Sequence, residues 1–220
     1  MLPQPEFARL RRTLGRVGVL TGSRRANYLL TEELRRRGIV SVLLLPSETI
    51  PLDIRVVIAS KELEKMVPRL KLVTWMEESS PQDVVDRAVY VVNSGDRFEE
   101  ASIGVDPGKE IGIAVVADGK VLKTNVFKSV DGAVEEVLRQ LSILPCSRKV
   151  VRIGSGAQDY GSSILSALKL QLPCDVEIQK VEEWGTTKSV LSANHSRSSR
   201  NAASATRIAL KQGKPKPRGA

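Results

Sequence analysis

The sequence predicts an α/β protein of two domains, and three observations lead to this prediction. Strand-like apolar runs alternate with amphipathic helical segments along most of the 220 residues, as they do when helices cover a sheet. Between residues 101 and 127 three strand-like runs follow one another without a helix, which is typical of an antiparallel meander. The polar, turn-rich segment 93–97 separates the two series, so we predict a small parallel α/β domain over residues 1–97 and a mixed-sheet domain over 98–211.

The first domain is predicted to alternate strands and helices. Residues 15–22 (GRVGVLTG) form a strand, and Ser23 caps a helix that runs to Arg37 and stops at Gly38. The junction 21–25 (TGSRR) is a place that can hold an anion, but it lacks the glycine spacing of phosphate-binding or dinucleotide-binding loops, and we interpret it as helix capping. The elements expected next are strands at 41–46, 55–60 and 70–76, a helix at 61–67 and a helix opened by Ser80 and Pro81.

The second domain is predicted to open with the three-stranded meander and to continue with alternating helices and strands. Right-handed crossovers place these helices on both faces of a mixed sheet, in which parallel strands extend the meander. Residues 212–220 are rich in Pro, Gly and Lys, so we expect a disordered basic tail there. The expected elements are strands near Ile103, near Ile113 and at 122–127, a helix at 131–141, a strand at 149–154, a helix ending near 170, a strand at 175–181 and a helix at 200–211.

Asp106 is the unusual residue of the meander. It ends an apolar strand just before Pro107 and Gly108, and a carboxylate in such a place costs free energy to desolvate unless a cation or several donors compensate it. Two interpretations stay open on this segment alone: an active-site carboxylate, or an Asp that accepts amides of the turn. A further acidic pair, Glu182 and Glu183, is expected at the end of another strand of the same sheet. Carboxylates that converge at one sheet edge suit Mg²⁺ or Mn²⁺.

Three segments make this domain resemble the RNase H-like superfamily, and within it the RuvC and YqgF group of Holliday-junction resolvase-like proteins. They are IGVDPGKEIGIAVV, EEWGTT and NAASATRIAL, and the resemblance covers residues 101–211. It implies a Mg²⁺-dependent or Mn²⁺-dependent nuclease acting on structured DNA or RNA, and, for two-fold junctions, a homodimer. It assigns metal ligation and catalysis to Asp106, Glu183 and Asn201, with Glu182 as the alternative to Glu183.

Asn201 departs from that family, which has an aspartate at the start of the last helix. An amide oxygen ligates a metal without adding negative charge, so a weaker site is expected. Either another residue such as His195 or Asp159 assists cleavage, or the domain binds nucleic acid without cutting it; Asp159 is otherwise expected to cap the helix after Gly156. A third alternative is an ATP-binding protein of the actin and sugar-kinase type, which requires a second Asp-Gly hairpin that residues 1–97 lack.

The positive charge of the chain is concentrated at its C-terminal end. The formal net charge is +9, and the segment after Glu183 contains eight Lys and Arg residues and no acidic residue. A basic end on a nearly neutral body is typical of a protein that contacts nucleic acid phosphates. The cations expected at such a surface are Lys109, Lys188, Arg197, Arg200, Arg207 and Lys211.

The sequence favours a cytoplasmic protein without a membrane segment. No apolar run is long enough to cross a bilayer, and the N-terminal residues lack the apolar core of a signal peptide. Cys146 and Cys174 do not have a metal-ligand spacing. We expect them to be buried thiols, with a disulfide as the alternative if the source is a hyperthermophile.

Overall fold

The computed structural model describes residues 16–67, 71–94, 97–155, 158–182 and 197–211. The chain divides into two compact units, the first reaching Arg97 and the second beginning at Phe98. Each unit is built on its own sheet and has its own buried apolar residues.

The first unit is a parallel four-stranded sheet with two helices, which confirms the α/β class predicted for this part of the chain. Its elements are β1 (Arg16–Leu20), α1 (Arg24–Arg36), β2 (Ser41–Leu43), β3 (Ile54–Ser60), β4 (Lys71–Trp75) and α2 (Pro81–Ser94). The strand order is β2-β1-β3-β4. Ser23 Oγ accepts a hydrogen bond from the main-chain nitrogen of Ala26 at 3.2 Å, so the strand-to-helix junction is a capped helix start.

Apolar side chains of the first unit are buried on both faces of its sheet. Leu20 and Val57 belong to a buried cluster on one face. Side chains alternate along a strand, so Val56, which is also buried, occupies the opposite face. Arg37 at the end of α1 forms an ion pair with the buried Asp86 of α2. The two helices are thereby joined by charge as well as by packing.

The helix expected at 61–67 is present as Lys61–Met66, and it is a 3₁₀ helix. Its sequence KELEKM is mostly charged and none of its residues is buried. It therefore lacks the apolar face that would hold a longer α-helix against the sheet. At six residues it is longer than most 3₁₀ helices, which rarely exceed about four residues.

The second unit is a five-stranded mixed sheet with three helices, and it confirms the predicted fold class. Its elements are β5 (Phe98–Asp106), β6 (Ile111–Ala117), β7 (Lys120–Phe127), α3 (Val130–Ile143), β8 (Cys146–Gly154), α4 (Gln158–Gln171), β9 (Val176–Val181) and α5 (Arg197–Leu210). The strand order is β7-β6-β5-β8-β9. The first three strands form the antiparallel meander, and β8 and β9 run parallel to β5.

Several local predictions differ from the structure. α2 continues through Ser94, and the side-chain amide of Asn93 donates to the helix's own backbone at 2.8 Å, so part of the expected boundary segment is helical. Asp159 lies inside α4 and is therefore not the residue that precedes and caps it. The tail 212–220 lies outside the described residues.

The two cysteines form no disulfide. Cys146 is buried at the start of β8, as expected for a thiol in the core. Cys174 is exposed, because it lies in the connection between α4 and β9. The expectation that both thiols are buried is therefore wrong for Cys174.

The helices in the described part of the chain are short. The longest span 14 residues, whereas a helix needs about 20 apolar residues to cross a bilayer. None of these helices is both long and apolar enough to span a membrane.

An ion-pair cluster around Glu136 joins α3 to the edge strand β7. Glu136 accepts hydrogen bonds from Arg139 at 2.8 Å and from Asn125 at 3.1 Å, and its carboxylate lies 3.2 Å from Lys123 Nζ. Burial by itself raises the pKa of Glu136, but the hydrogen bond from Arg139 and the charges of Lys123 and Arg139 outweigh it. The pKa therefore lies below its usual value.

We expect this cluster to make stability depend on pH in the acid range. A carboxyl group whose pKa is lower in the folded state stabilises the fold above its unfolded pKa of about 4.3, and this contribution is lost as the pH falls through the folded pKa. The free energy of unfolding from urea titrations should decline below about pH 4.3, and less steeply in Glu136→Gln than in the wild type. Glu135→Gln, which alters an exposed neighbour, is the matched control. Equal slopes for Glu136→Gln and the wild type would contradict the prediction.

Candidate functional site

The carboxyl ends of three parallel strands lie at one edge of the second sheet. β5 ends at Asp106, which is half-buried, and β8 and β9 run parallel to it in register. Glu182 directly follows β9 and is exposed. We call the ends of β5, β8 and β9, with the start of β6, the Asp106 edge. The structure brings Asp106 and Glu182 to this edge, whereas Glu183 lies outside the described residues.

Helix α5 lies directly on the sheet because two strand glycines leave room for it. A Cβ atom on Gly104 would lie 2.1 Å from the carbonyl oxygen of Ala205, and one on Gly112 would lie 2.4 Å from that of Asn201. Both distances are well below van der Waals contact. The backbone of α5 therefore packs against the backbone of β5 and β6, and only glycine permits this approach.

This packing places Asn201 of α5 next to Asp106 of β5. Asp106 and Gly112 are directly opposite each other in the antiparallel pair of β5 and β6. Residues in this relation project from the same face, with Cα atoms about 5 Å apart. Because Gly112 contacts Asn201 on that face, Asp106 and Asn201 occupy neighbouring positions at the Asp106 edge.

Glu110 also lies at this edge, although the sequence did not predict it as a site residue. Asn201 Nδ2 donates to the main-chain oxygen of Glu110 and to its Oε2, each at 3.3 Å. The two residues are 91 positions apart in the chain, so no local pattern links them. The signal that the sequence offers for Glu110 is its place in the same turn as Asp106.

The oxygen donors at this edge are of the type that Mg²⁺ and Mn²⁺ prefer. Asp106 and Glu110 supply carboxylates, and Asn201 supplies an amide oxygen. Within the described ranges, no three Asp, Glu, His or Cys side chains form a group that could hold a metal ion. Asp106, Glu110 and Glu182 therefore do not form such a group by themselves, and a metal-binding group of three carboxylates would need Glu183 or another residue from outside those ranges.

Two exposed cations flank the hydrogen bond between Glu110 and Asn201. Lys109 directly precedes Glu110, and Arg200 directly precedes Asn201. Both side chains are exposed. Cations in such positions can contact phosphate groups that approach the Asp106 edge.

The other cations predicted at the nucleic acid surface are not exposed beside the Asp106 edge as Lys109 and Arg200 are, or they lie outside the described residues. Arg207 is half-buried on α5. Lys211 Nζ donates at 3.1 Å to the main-chain oxygen of the residue that follows β9, so this lysine ties the end of α5 to the end of β9. Lys188 and His195 lie outside the described residues, and so does the side chain of Arg197.

A buried arginine holds the C-terminal end of α5. Arg152 on β8 is only 5% exposed, and its guanidinium donates to Glu100 at 2.8 Å, to Gln179 at 3.0 Å and to the carbonyl oxygen of Ala209. Ser102 donates to the same carbonyl oxygen at 2.8 Å. A positive charge is favourable there because the last carbonyls of a helix carry partial negative charge. The two strand glycines and Arg152 together fix where α5 lies on the sheet.

Comparison with known proteins gives little support for a specific family. No family model matches the sequence, and no curated protein matches it. Among solved structures, the chain is similar to a Bacteroides thetaiotaomicron protein with an actin-like ATPase fold and unknown function, at 13% sequence identity and a TM-score of 0.27. The match covers 53% of this chain and 44% of that protein, so the chain spans less than half of its length. A likeness at this level carries no argument about activity.

Proposed function

We propose that the second unit is a metal-dependent nuclease, resolvase-like in its site, that hydrolyses phosphodiester bonds in structured DNA or RNA. The observation that carries this proposal is the neighbouring placement of Asp106 and Asn201 at the carboxyl edge of a mixed sheet, with Lys109 and Arg200 exposed close by. The three sequence segments that resemble RuvC and YqgF proteins support the same function.

The residues that would hold a divalent metal ion are Asp106, Asn201 and Glu183, with Glu182 as the alternative to Glu183. When bound, Mg²⁺ or Mn²⁺ stabilises developing charge on phosphate oxygens and activates a water. Asp106 contributes the negative charge that attracts the ion. Asn201 contributes a neutral oxygen, which makes the attraction weaker than a third carboxylate would.

The exposed cations bind and orient the substrate. Lys109 and Arg200 contact phosphates and place a strand against the Asp106 edge without reading its sequence. The basic C-terminal end of the chain extends this contact along the nucleic acid backbone, so affinity falls steeply as salt increases. A homodimer would present two such sites to a two-fold branched junction.

Cleavage of labelled substrates by the full chain tests this proposal. A four-way junction, an RNA–DNA hybrid and a hairpin are each incubated with Mg²⁺ or Mn²⁺, and with EDTA as the metal-free control. We expect cleavage of at least one substrate in the presence of metal and none in EDTA. Cleavage that persists in EDTA, or no cleavage of any substrate, would contradict a metal-dependent nuclease.

A second candidate function is binding of structured DNA or RNA without cleavage. Two observations favour it: the Asn201 amide brings no negative charge to the site, and the described residues contain no group of three metal-binding acids. Binding measured by fluorescence anisotropy between about 50 and 200 mM salt would fall steeply and would not depend on Mg²⁺. Salt-insensitive binding would exclude this candidate.

A further inference from the structure

We propose that Glu110 is a positioning residue that sets the orientation of the Asn201 amide at the Asp106 edge. The role of this orientation in metal binding rests on the proposed metal-dependent function. The contact itself is a property of the fold and is observed without reference to any metal.

Glu110 offers two acceptors to one NH₂ group. Its main-chain oxygen and its Oε2 both lie 3.3 Å from Asn201 Nδ2. The nitrogen and oxygen of an amide occupy opposite branches of the same carbon, so Asn201 Oδ1 is turned away from Glu110 when Nδ2 is held by it. An unheld amide rotates and presents either group. Glu110 therefore selects the oxygen as the group that Asn201 offers to the remainder of the Asp106 edge.

The same contact explains why an amide suits position 201 of α5. A carboxylate at position 201 would face the Glu110 carboxylate within hydrogen-bonding range, and two like charges at that distance repel. With Asn at this position, the pair becomes a donor and an acceptor, and Glu110 keeps one negative charge close to Asp106. The departure of Asn201 from the resolvase-like pattern is thus matched by the presence of Glu110 in the turn.

Exchanging the Glu110 carboxylate and the Asn201 amide by mutation tests their contact without any metal. We expect Asn201→Asp to lower the thermal unfolding midpoint of the full chain at pH 7, because it places two carboxylates together. The double variant Asn201→Asp/Glu110→Gln restores one amide and one carboxylate, so its midpoint should return to that of the wild type. A double variant that is at least as destabilised as Asn201→Asp would overturn the proposal.

Titration of Mn²⁺ into the full chain tests whether the orientation of the Asn201 amide strengthens metal binding. Loss of a residue that orients a metal ligand typically weakens metal binding by about 10-fold or more, and we expect about that loss in Glu110→Ala. Glu110→Gln keeps an acceptor oxygen and should bind Mn²⁺ within about threefold of the wild type, since the orienting bond is retained. Glu135→Ala, an exposed glutamate on α3, is the control and should bind as the wild type does.

The outcomes separate the positioning role from the metal-dependent function. If Glu110→Gln loses as much Mn²⁺ affinity as Glu110→Ala, Glu110 acts through its charge and the positioning role is overturned. If the wild type binds no Mn²⁺ while the double variant recovers its unfolding midpoint, the orienting contact stands and the metal-dependent function is overturned.

Discussion

Replacing Gly104 with alanine is expected to displace α5 from the sheet and to lower the free energy of unfolding of the second unit by about 3 kcal/mol or more. The added Cβ would lie 2.1 Å from the carbonyl oxygen of Ala205 and 2.6 Å from the main-chain nitrogen of Ala209. Both are backbone atoms of a helix, so neither can move aside as the tip of a flexible side chain does. The helix must shift as a whole, and this shift also withdraws Asn201 from Asp106.

Hydrogen exchange of the α5 amides and urea unfolding of the full chain measure this effect. We expect faster exchange along α5 and a lower unfolding midpoint in Gly104→Ala. Gly22→Ala is the matched control, because a Cβ at Gly22 has no atom within 4 Å. Wild-type protection of α5 in Gly104→Ala would mean that the helix does not pack against β5 at this glycine.

The fold class followed from the sequence because strands, helices and tight turns leave local signals. The Asp118-Gly119 pair between two apolar runs is a local signal of a hairpin turn, and both residues have positive φ angles, 45° and 74°, as a type I′ turn requires. The crossovers then placed β8 beside β5. The type of helix at 61–67 was less predictable. Whether this segment forms an α-helix or a 3₁₀ helix depends on whether it has an apolar face that packs against the sheet.

The site was only partly predictable, since its contacts join residues that are far apart in the chain. The resemblance to resolvase-like proteins selected Asp106 and Asn201, which the structure places side by side. Glu110 was missed because a glutamate in a turn is ordinary by itself, and its partner lies 91 residues away. Gly104 and Gly112 lie within predicted strands, and no local pattern shows that they leave room for the backbone of α5.

Asp106→Asn is expected to reduce metal-dependent cleavage by at least about 100-fold, which corresponds to about 2.7 kcal/mol of transition-state stabilisation. The change keeps the size of the side chain and removes the negative charge that attracts the metal ion. Initial rates on the best cleaved substrate, measured at saturating Mg²⁺ and again with Mn²⁺, provide the test. Circular dichroism and urea unfolding of the variant show whether the fold is kept.

Asp118→Asn is the matched control for this change. It makes the same replacement at the opposite end of β6, where the Asp118 carboxylate accepts the main-chain N–H groups of Glu99 and Glu100 at 3.3 and 3.0 Å, and it should leave cleavage intact. Without metal, Asp106→Asn should bind the junction as tightly as the wild type or more tightly, because a carboxylate that repels phosphates is gone. Wild-type cleavage by folded Asp106→Asn would contradict a catalytic role for this residue. If neither protein cleaves and both bind with the same salt dependence, the Asp106 edge serves binding alone.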